Sequence, residues 1–164
     1  MTGLSSTMFI TFEGPEGSGK STQIRLLAEF LRTRGFSVEV VREPGGTPIG
    51  DQIRHVLHDT ANTAMSPAAE VLLYSASRAQ LISERIRPSL AAGRIVLCDR
   101  YADSTMAYQG YGRGLDLDML AALTEIATGG LRPDLVLFLD LDVSAGLSRR
   151  RTRGEEMNRL DLEA

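Results

Sequence analysis

The sequence predicts an α/β protein with a doubly wound parallel sheet that helices cover on both faces. Four short segments are almost entirely apolar, as is typical of strands buried on both faces, and stretches with helical spacing of apolar residues separate them. The turn between the first strand and the first helix is rich in glycine. With 164 residues, the chain has the length of one domain.

The first elements flank this glycine-rich turn. Met8–Phe12 reads MFITF, an apolar run that predicts a buried strand. Apolar residues at helical spacing predict a helix over Lys20–Arg34, with Gly35 where a C-terminal cap is expected. A second strand is predicted over Phe36–Val41 and a short helix over Ile49–Leu57.

The second half of the chain opens with a long helix. Ser66 and Pro67 form a typical N-cap and first-turn pair, Pro88 is expected to bend or divide the helix, and Gly93 to end it. The remaining predicted elements are the strand Arg94–Asp99, the helix Leu117–Ala127 and the strand Asp134–Asp142. The sequence then stops within a polar segment, and we expect a final helix–strand–helix of the domain to be absent from this chain.

Composition excludes several classes of protein. The net charge of −3 provides no global basic field, so we expect no binding to nucleic acid. No apolar run reaches the ~18 residues of a membrane span, and no secretory signal is recognisable, so we expect a cytoplasmic protein. Cys98 is the only cysteine, which excludes an internal disulfide, and with His55 and His58 as the only histidines no Cys/His metal site can form. We expect a packed thiol and solvated imidazoles.

The glycine-rich turn predicts a phosphate site. Gly14–Ser21 reads GPEGSGKS and matches G-x-x-x-x-G-K-[ST] between a predicted strand and a predicted helix. Backbone N–H groups of such a loop surround phosphate oxygens, the lysine contacts the β- and γ-phosphates, and the serine hydroxyl binds Mg²⁺. The predicted nucleotide-binding residues are Gly14, Pro15, Glu16, Gly17, Ser18, Gly19, Lys20, Ser21 and Thr22.

Lys20 is also the only lysine of the chain, so no N-K-x-D guanine-reading motif can exist and a GTPase is disfavoured. An acid that ends an apolar strand can assist Mg²⁺. Asp99 and Asp140 both fit this pattern, which does not choose between them. Asp99 with Arg100 is alternatively a simple ion pair at a strand end.

Arginines at strand ends predict a second phosphate site. Arg42 closes the second strand and Arg100 follows the third, while Arg54 and Arg78 lie on predicted helices. Ligands of open α/β sheets bind outside the carboxyl ends of the strands, so Arg42 and Arg100 are expected near the glycine-rich loop. Arginine binds phosphate bidentately, which suits a second phosphorylated substrate.

Five blocks of the sequence, taken together, resemble the thymidylate kinase family. In order they are EGPEGSGKST, REPGGTPIG, AEVLLYSASRAQ, DRYADSTMAYQGYGRG and RPDLVLFLDLD, and they extend over essentially the whole chain. The resemblance implies a P-loop kinase fold with a five-stranded parallel sheet. It implies one nucleoside monophosphate kinase domain over residues 1–164, with a lid from about residue 148. The implied reaction is Mg²⁺-dependent phosphorylation of dTMP to dTDP by ATP in a homodimer.

The resemblance also assigns roles in recognising the nucleoside. Tyr74 would stack on thymine, Arg78 and Thr105 would hydrogen-bond its edge with Gln109 nearby, and Tyr108 would pack under the deoxyribose and disfavour a 2′-hydroxyl. Without the resemblance, the apolar stretch VLLYSA favours Tyr74 as an aromatic residue of the core.

For the acceptor phosphate the resemblance implies Arg100 and Arg42, with Arg54 as a secondary contributor. Glu16 would face the sugar 3′-hydroxyl or the metal shell of the acceptor. Because the acceptor is itself a phosphate anion, no general base is expected.

The segment RRRTRGEE, Arg149–Glu156, resembles the closing lid of those family members that have no basic residue within the P-loop. Arg151 and Arg153 are predicted to neutralise the transferring phosphoryl group, and Arg149 and Arg150 are alternatives or helix-surface residues. The predicted catalytic residues are therefore Lys20, Asp99, Arg100, Arg151 and Arg153. A solvated charge run is the other interpretation.

Two other functions remain open at this stage. One is a kinase of another nucleoside monophosphate, such as dUMP, UMP or AMP. The other is a non-catalytic P-loop nucleotide-binding module, which would leave the arginine set and Tyr74 with Arg78 unexplained.

Overall fold

The computed structural model of the protein describes residues 7–152 and Arg159. These residues form two compact units. Unit 1 contains residues 7–42, 85–101 and 132–152, and unit 2 contains residues 43–84, 102–131 and Arg159. The prediction that the chain forms one domain stays a prediction.

The strands and helices alternate along the chain. They are β1 (Met8–Glu13), α1 (Lys20–Thr33), β2 (Val38–Arg42), α2 (Pro48–His58), α3 (Pro67–Leu81), α4 (Arg87–Ala91), β3 (Ile95–Asp99), α5 (Ala102–Thr105), α6 (Leu117–Thr128), β4 (Leu135–Phe138) and α7 (Val143–Thr152). Two π-helical segments, Ile82–Ile86 and Met106–Gly112, lie between α3 and α4 and between α5 and α6.

Unit 1 is built on a four-stranded parallel sheet in the order β2–β3–β1–β4. The central strands β1 and β3 pair from Met8 with Ile95 to Phe12 with Asp99, so their carboxyl ends lie side by side. Arg42, the last residue of β2, pairs with Asp99 on the other side. This sheet confirms the predicted α/β class.

Alternation along the central strands produces the core of unit 1. Ile10 and Phe12 of β1 and Leu97 of β3 are buried against Ile24 and Ala28 of α1. Burial of each large apolar side chain contributes about 1.5–3 kcal/mol, and this holds α1 against the sheet. Cys98 is fully buried in β3, as predicted.

The fourth strand is shorter and more exposed than its sequence predicts. It ends at Phe138, and the ladder closes where the Leu139 N–H donates to the Glu13 carbonyl at 2.8 Å. Asp142, predicted as the end of this strand, instead accepts from the N–H groups of Ser144 and Ala145 at the start of α7. β4 lies at the edge of the sheet, and its apolar side chains are largely exposed.

Unit 2 is helical, with α2 packed against α3 and α3 against α6. Ser66 caps α3 as predicted, because its hydroxyl accepts from the Ala69 N–H at 3.2 Å. Pro88, which belongs to unit 1, divides the predicted long helix: it has no N–H to donate to the preceding turn, and the backbone widens into the first π-helical segment before α4. No helix in the described part of the chain has the length and apolar character needed to cross a membrane.

Candidate functional site

The glycine-rich loop of unit 1 connects β1 to α1, as the motif predicts. Gly14, Gly17 and Gly19 have φ angles of 137°, 72° and 95°, a region that favours glycine. A Cβ atom on Gly14 would lie 2.5 Å from the carbonyl oxygen of Leu139. The conformation of the loop therefore favours glycine at all three positions, and at Gly14 a side chain would also clash with the backbone.

Lys20 folds back over this loop. Its ammonium group is buried and donates to the carbonyl oxygens of Gly14 at 3.0 Å and Pro15 at 2.8 Å. Burial lowers the pKa of Lys20, and the nearby Arg100 lowers it further, whereas Glu16 is the leading influence in the other direction. A compact ammonium fits this narrow position, where a guanidinium fork would not.

The loop also carries a hydroxyl that is available to an anion. Among the described residues, Ser18 Oγ is buried without a hydrogen-bond partner. A buried hydroxyl without a partner is costly, so a phosphate oxygen at the loop would satisfy it. The residues present therefore fit a bound phosphate.

Ser21 and Asp99 form the second feature of unit 1. The Ser21 hydroxyl, in the first turn of α1, donates to Asp99 Oδ2 at 2.7 Å. Asp140 is exposed and Asp99 is half-buried; which of the two assists a metal stays a prediction. One hydroxyl and one carboxylate suit Mg²⁺, which takes oxygen ligands and keeps most of its shell for water and phosphate. No cluster of three or more His, Cys, Asp or Glu residues is found in the part of the chain that is described.

Arg100 stands beside the same loop. It follows β3, has a φ angle of 69°, and its guanidinium contacts Glu16 Oε1 at 2.7 Å. Arg42 lies at the end of the neighbouring strand with an exposed side chain. Unit 1 thus brings the predicted acceptor-phosphate residues Arg42 and Arg100, and Glu16, which is predicted to face the sugar 3′-hydroxyl or the metal shell, to the strand ends that carry the P-loop.

The first turns of α7 close against the loop. A Cβ atom on Gly17 would overlap the carbonyl oxygen of Gly146, and one on Gly146 would overlap the carbonyl oxygen of Glu16. Arg149 donates to the carbonyl oxygen of Gly17 at 3.3 Å. The predicted lid therefore begins within a helix that touches the P-loop.

The other predicted lid arginines differ in whether the structure describes their side chains. Arg151 is exposed on α7. The side chain of Arg150, and Arg153 entirely, lie outside the described residues.

In unit 2, the predicted base-contacting residues Arg78 and Thr105 meet. Arg78 is 2% exposed; its Nε donates to Glu43 Oε2 at 2.7 Å and its terminal nitrogen to Thr105 Oγ1 at 3.0 Å. Tyr74 is half-buried, and its stacking on the base stays a prediction. Tyr108 is 40% exposed on the second π-helical segment.

The neighbouring loop is held from two helices. Ser77 accepts from the Gly45 N–H at 2.9 Å, and Arg54 donates to the Pro44 carbonyl at 2.9 Å. Arg54 therefore has a backbone partner in unit 2, and its predicted contribution to phosphate binding stays a prediction.

The side chain of Gln109 contacts the carboxylate of Glu70 on α3. Its amide nitrogen donates to Glu70 Oε1 at 2.8 Å, and Arg113 and Arg159 also donate to Glu70. Burial disfavours the charged carboxylate, but the hydrogen bonds from Arg113, Gln109 and Arg159 together lower the pKa of Glu70. This buried cluster fixes the second π-helical segment.

Sequence reasoning missed four residues that organise these units: Glu13, Glu43, Glu70 and Gly146. Three of them are buried carboxylates. Glu13 and Glu70 stand in otherwise apolar stretches, and an acid in such a place is a signal of a specific partner. Gly146 has no such signal, because its neighbours in sequence do not reveal the close approach of the P-loop.

Known proteins are similar to this chain in sequence. Residues 12–163 match the family model described as thymidylate kinase. The thymidylate kinase of Roseiflexus sp. (strain RS-1) is 58% identical over 94% of this chain and 74% of its own. The thymidylate kinase of Geotalea daltonii is 55% identical over 95% of this chain and 76% of its own. The chain thus spans about three-quarters of the length of these relatives.

A solved structure is similar as well. The crystal structure of thymidylate kinase from Ehrlichia chaffeensis has a TM-score of 0.77 at 39% sequence identity, over 88% of this chain and 82% of the other. The similarity includes the fold as well as the sequence.

Proposed function

The chain belongs to the thymidylate kinase family, and from this premise we propose that it transfers the γ-phosphoryl group of ATP to dTMP, giving dTDP and ADP. The observation that carries the proposal is the arrangement of unit 1. A phosphate-binding loop follows β1, and two arginines follow the neighbouring strands β3 and β2. Two phosphorylated substrates need two cationic sites at one edge of the sheet.

On the donor side, the loop N–H groups and the ammonium of Lys20 would hold the β- and γ-phosphates. Binding would turn Lys20 from the carbonyl oxygens of Gly14 and Pro15 toward the anion. Ser21 and Asp99 would hold Mg²⁺, which supplies charge neutralisation between the phosphates when bound. The chain itself would orient the phosphates through backbone groups that need no rearrangement during the reaction.

On the acceptor side, Arg100 and Arg42 would bind the dTMP phosphate. The carboxylate of Glu16 keeps the guanidinium of Arg100 directed at the P-loop. When dTMP binds, the carboxylate of Glu16 would leave Arg100 and contact the sugar 3′-hydroxyl or the metal shell instead. No proton must be removed from the attacking phosphate oxygen, so positioning and charge would account for catalysis.

Unit 2 would recognise the nucleoside. Arg78 and Thr105, already in contact, would present hydrogen-bonding groups to the thymine edge, with Tyr74 supporting the ring and Tyr108 the deoxyribose. The hydrogen bond from Gln109 to Glu70 supports a role of Gln109 in fixing the segment that carries Tyr108. This role would be additional to the predicted position of Gln109 near the base.

Arginines of the lid would complete the neutralisation of the transferring group. Arg149 and Arg151 lie on α7, whose first turns contact the P-loop. Arg153 is proposed from the sequence alone. Closure would exclude water and limit hydrolysis of ATP.

We further propose a cytoplasmic homodimer. The helices of unit 2 expose large apolar side chains, including Leu72 on α3 at 56% and Ile126 on α6 at 79%. Such side chains support pairing between copies. Light scattering would show a dimer, and a monomer for Leu72→Glu; a monomeric wild type would contradict this part of the proposal.

The reaction is tested by ADP release with dTMP, dUMP, UMP and AMP as acceptors at saturating ATP and Mg²⁺. We expect strong preference for dTMP and formation of dTDP. Arg78→Met should weaken that preference, whereas Lys20→Ala should abolish turnover with every acceptor. Preference for another monophosphate, or calorimetry without dTMP binding, would reject the proposal.

A further inference from the structure

Arg100 has an unusual backbone for the residue it is. Its φ of 69° is the one positive value among non-glycine residues in the described ranges 7–152 and 159. The left-handed region is unfavourable for a residue with a Cβ atom, so surrounding contacts must hold it there. The contacts that hold Arg100 in this conformation therefore bear on how its guanidinium is placed.

Three contacts restrain the turn that contains Arg100. Its own N–H donates to the Phe12 carbonyl at 3.0 Å, which extends the β1–β3 ladder by one residue. Its carbonyl accepts from Cys98 Sγ at 3.0 Å. The next N–H, that of Tyr101, donates to Glu13 Oε1 at 2.7 Å.

Tyr101 is also fixed by its ring. The side chain is 2% exposed and packs edge-on against Phe9, with ring centroids 5.0 Å apart. Peptide groups on both sides of the left-handed residue are therefore anchored. A thiol is a weak donor, so the carboxylate of Glu13 supplies the strongest of the side-chain contacts to the turn.

Glu13 is well placed to do this. It is the last residue of β1, it directly precedes Gly14, and it is 5% exposed. Its carbonyl accepts from the Leu139 N–H at 2.8 Å while its side chain reaches Tyr101. One residue thus connects the ends of β1, β3 and β4 at the point where the P-loop begins.

We propose that Glu13 is a positioning residue that holds Arg100 in its left-handed conformation through the Tyr101 N–H and so sets the guanidinium for the acceptor phosphate. The inference rests on the proposed function, since it concerns how Arg100 binds dTMP. In this proposal Glu13 acts on the dTMP phosphate through Arg100.

The test compares Glu13→Ala, which removes the acceptor of the Tyr101 N–H, with Glu13→Gln, which keeps an oxygen in its place. Loss of a buried acceptor should raise the KM for dTMP by about 10-fold in Glu13→Ala. The KM for ATP should change less than about 3-fold, and Glu13→Gln should restore the KM for dTMP to within about 3-fold of wild type.

An Arg100→Ala background separates positioning from a general structural effect. If Glu13 acts through Arg100, then Glu13→Ala causes no further rise in the KM for dTMP once Arg100 is absent. The same fold-change in both backgrounds, or an equal rise in the KM for ATP, would overturn the proposal.

Two measurements keep the test decisive. If Glu13→Ala does not fold, Glu13→Asp takes its place, since the shorter side chain withdraws the carboxylate from Tyr101; an unchanged KM for dTMP in Glu13→Asp would then contradict the proposal. The amide proton of Tyr101, followed by NMR, should move upfield in Glu13→Ala or Glu13→Asp. This signal tests the contact even if wild-type protein fails to phosphorylate dTMP, an outcome that would reject only the proposed function.

Discussion

The Ser21 hydroxyl donates a 2.7 Å hydrogen bond to Asp99 Oδ2, which joins the first turn of α1 to the end of β3. Asp140 follows the other neighbour of β1 but is exposed. Two aspartates with the same sequence pattern thus differ in their relation to the P-loop.

This difference predicts that Asp99→Asn and Asp140→Asn change the reaction rate to different extents. Asp99→Asn should lower kcat by roughly 100-fold or more and raise the Mg²⁺ concentration needed for half-maximal rate, because it removes a charge at the proposed metal position. Asp140→Asn should stay within about 2-fold of wild type. Steady-state rates over a Mg²⁺ titration measure both, and a larger loss in Asp140→Asn would reverse the assignment.

Lys20→Arg should be as inactive as Lys20→Ala despite its retained charge. The ammonium lies between two loop carbonyl oxygens at 2.8 and 3.0 Å, and a guanidinium is too broad for that position. We expect kcat to fall by about 100-fold or more. Arg25→Lys, an exposed change on the same helix, is the matched control and should leave kcat unchanged. Substantial activity in Lys20→Arg would show that the loop can widen.

Gly146→Ala should raise the KM for ATP by about 10-fold, since the new Cβ atom meets the backbone carbonyl of Glu16 and displaces either the P-loop or α7. Gly35→Ala is the control. Its φ of 85° makes alanine cost about 1 kcal/mol, but no atom lies within 4 Å of the new Cβ. Gly35→Ala should therefore lower the melting temperature with an unchanged KM for ATP. Equal KM values for all three proteins would refute the contact.

Stability below pH 5 should depend on Glu70. Its pKa is lower in the folded protein than its ordinary value of 4.5, so the folded state binds fewer protons there than the unfolded state. The stabilising contribution is therefore present above that ordinary value and is lost as the pH falls through the lowered pKa. Glu70→Gln should reduce the free energy of unfolding at pH 7 by about 1–3 kcal/mol and flatten its dependence on pH between 5 and 3.

Urea unfolding at a series of pH values measures this effect. Glu29→Gln is the control, because Glu29 is exposed on α1 and its ion pair with Arg25 is worth little. Parallel curves for wild type and Glu70→Gln below pH 5 would mean that another carboxylate carries the acid sensitivity.

The sequence predicted the strands, most helices and the P-loop because each depends on local pattern. Pro48–His58 and Leu117–Thr128 match their predicted ranges to within one residue at each end. The helical segments between Ala102 and Gly112 were not predicted. Three glycines in GYGRG argue locally for a loop, and the hydrogen bonds from Gln109 and Arg113 to Glu70, distant in sequence, outweigh that preference.

The site residues also divide into those that a local sequence pattern predicts and those that it does not. Lys20 and Ser21 follow from a motif with fixed spacing, whereas the hydrogen bond that distinguishes Asp99 from Asp140 is visible only in the structure. Gly146 and Glu13 act through contacts with residues far away in sequence, and a single sequence contains no spacing rule for such contacts.

A last consequence comes from Lys20 as the single lysine of the sequence. An amine-selective acylating reagent has only one lysine side chain to modify here, and arginines do not compete for it. The lowered pKa of Lys20 enlarges the neutral, nucleophilic fraction of its amine, while burial restricts the approach of the reagent. Acylation of Lys20, located by peptide mass mapping so that it is separated from acylation of the α-amine, therefore has a rate that reports how open the phosphate loop is, and nucleotide should protect it.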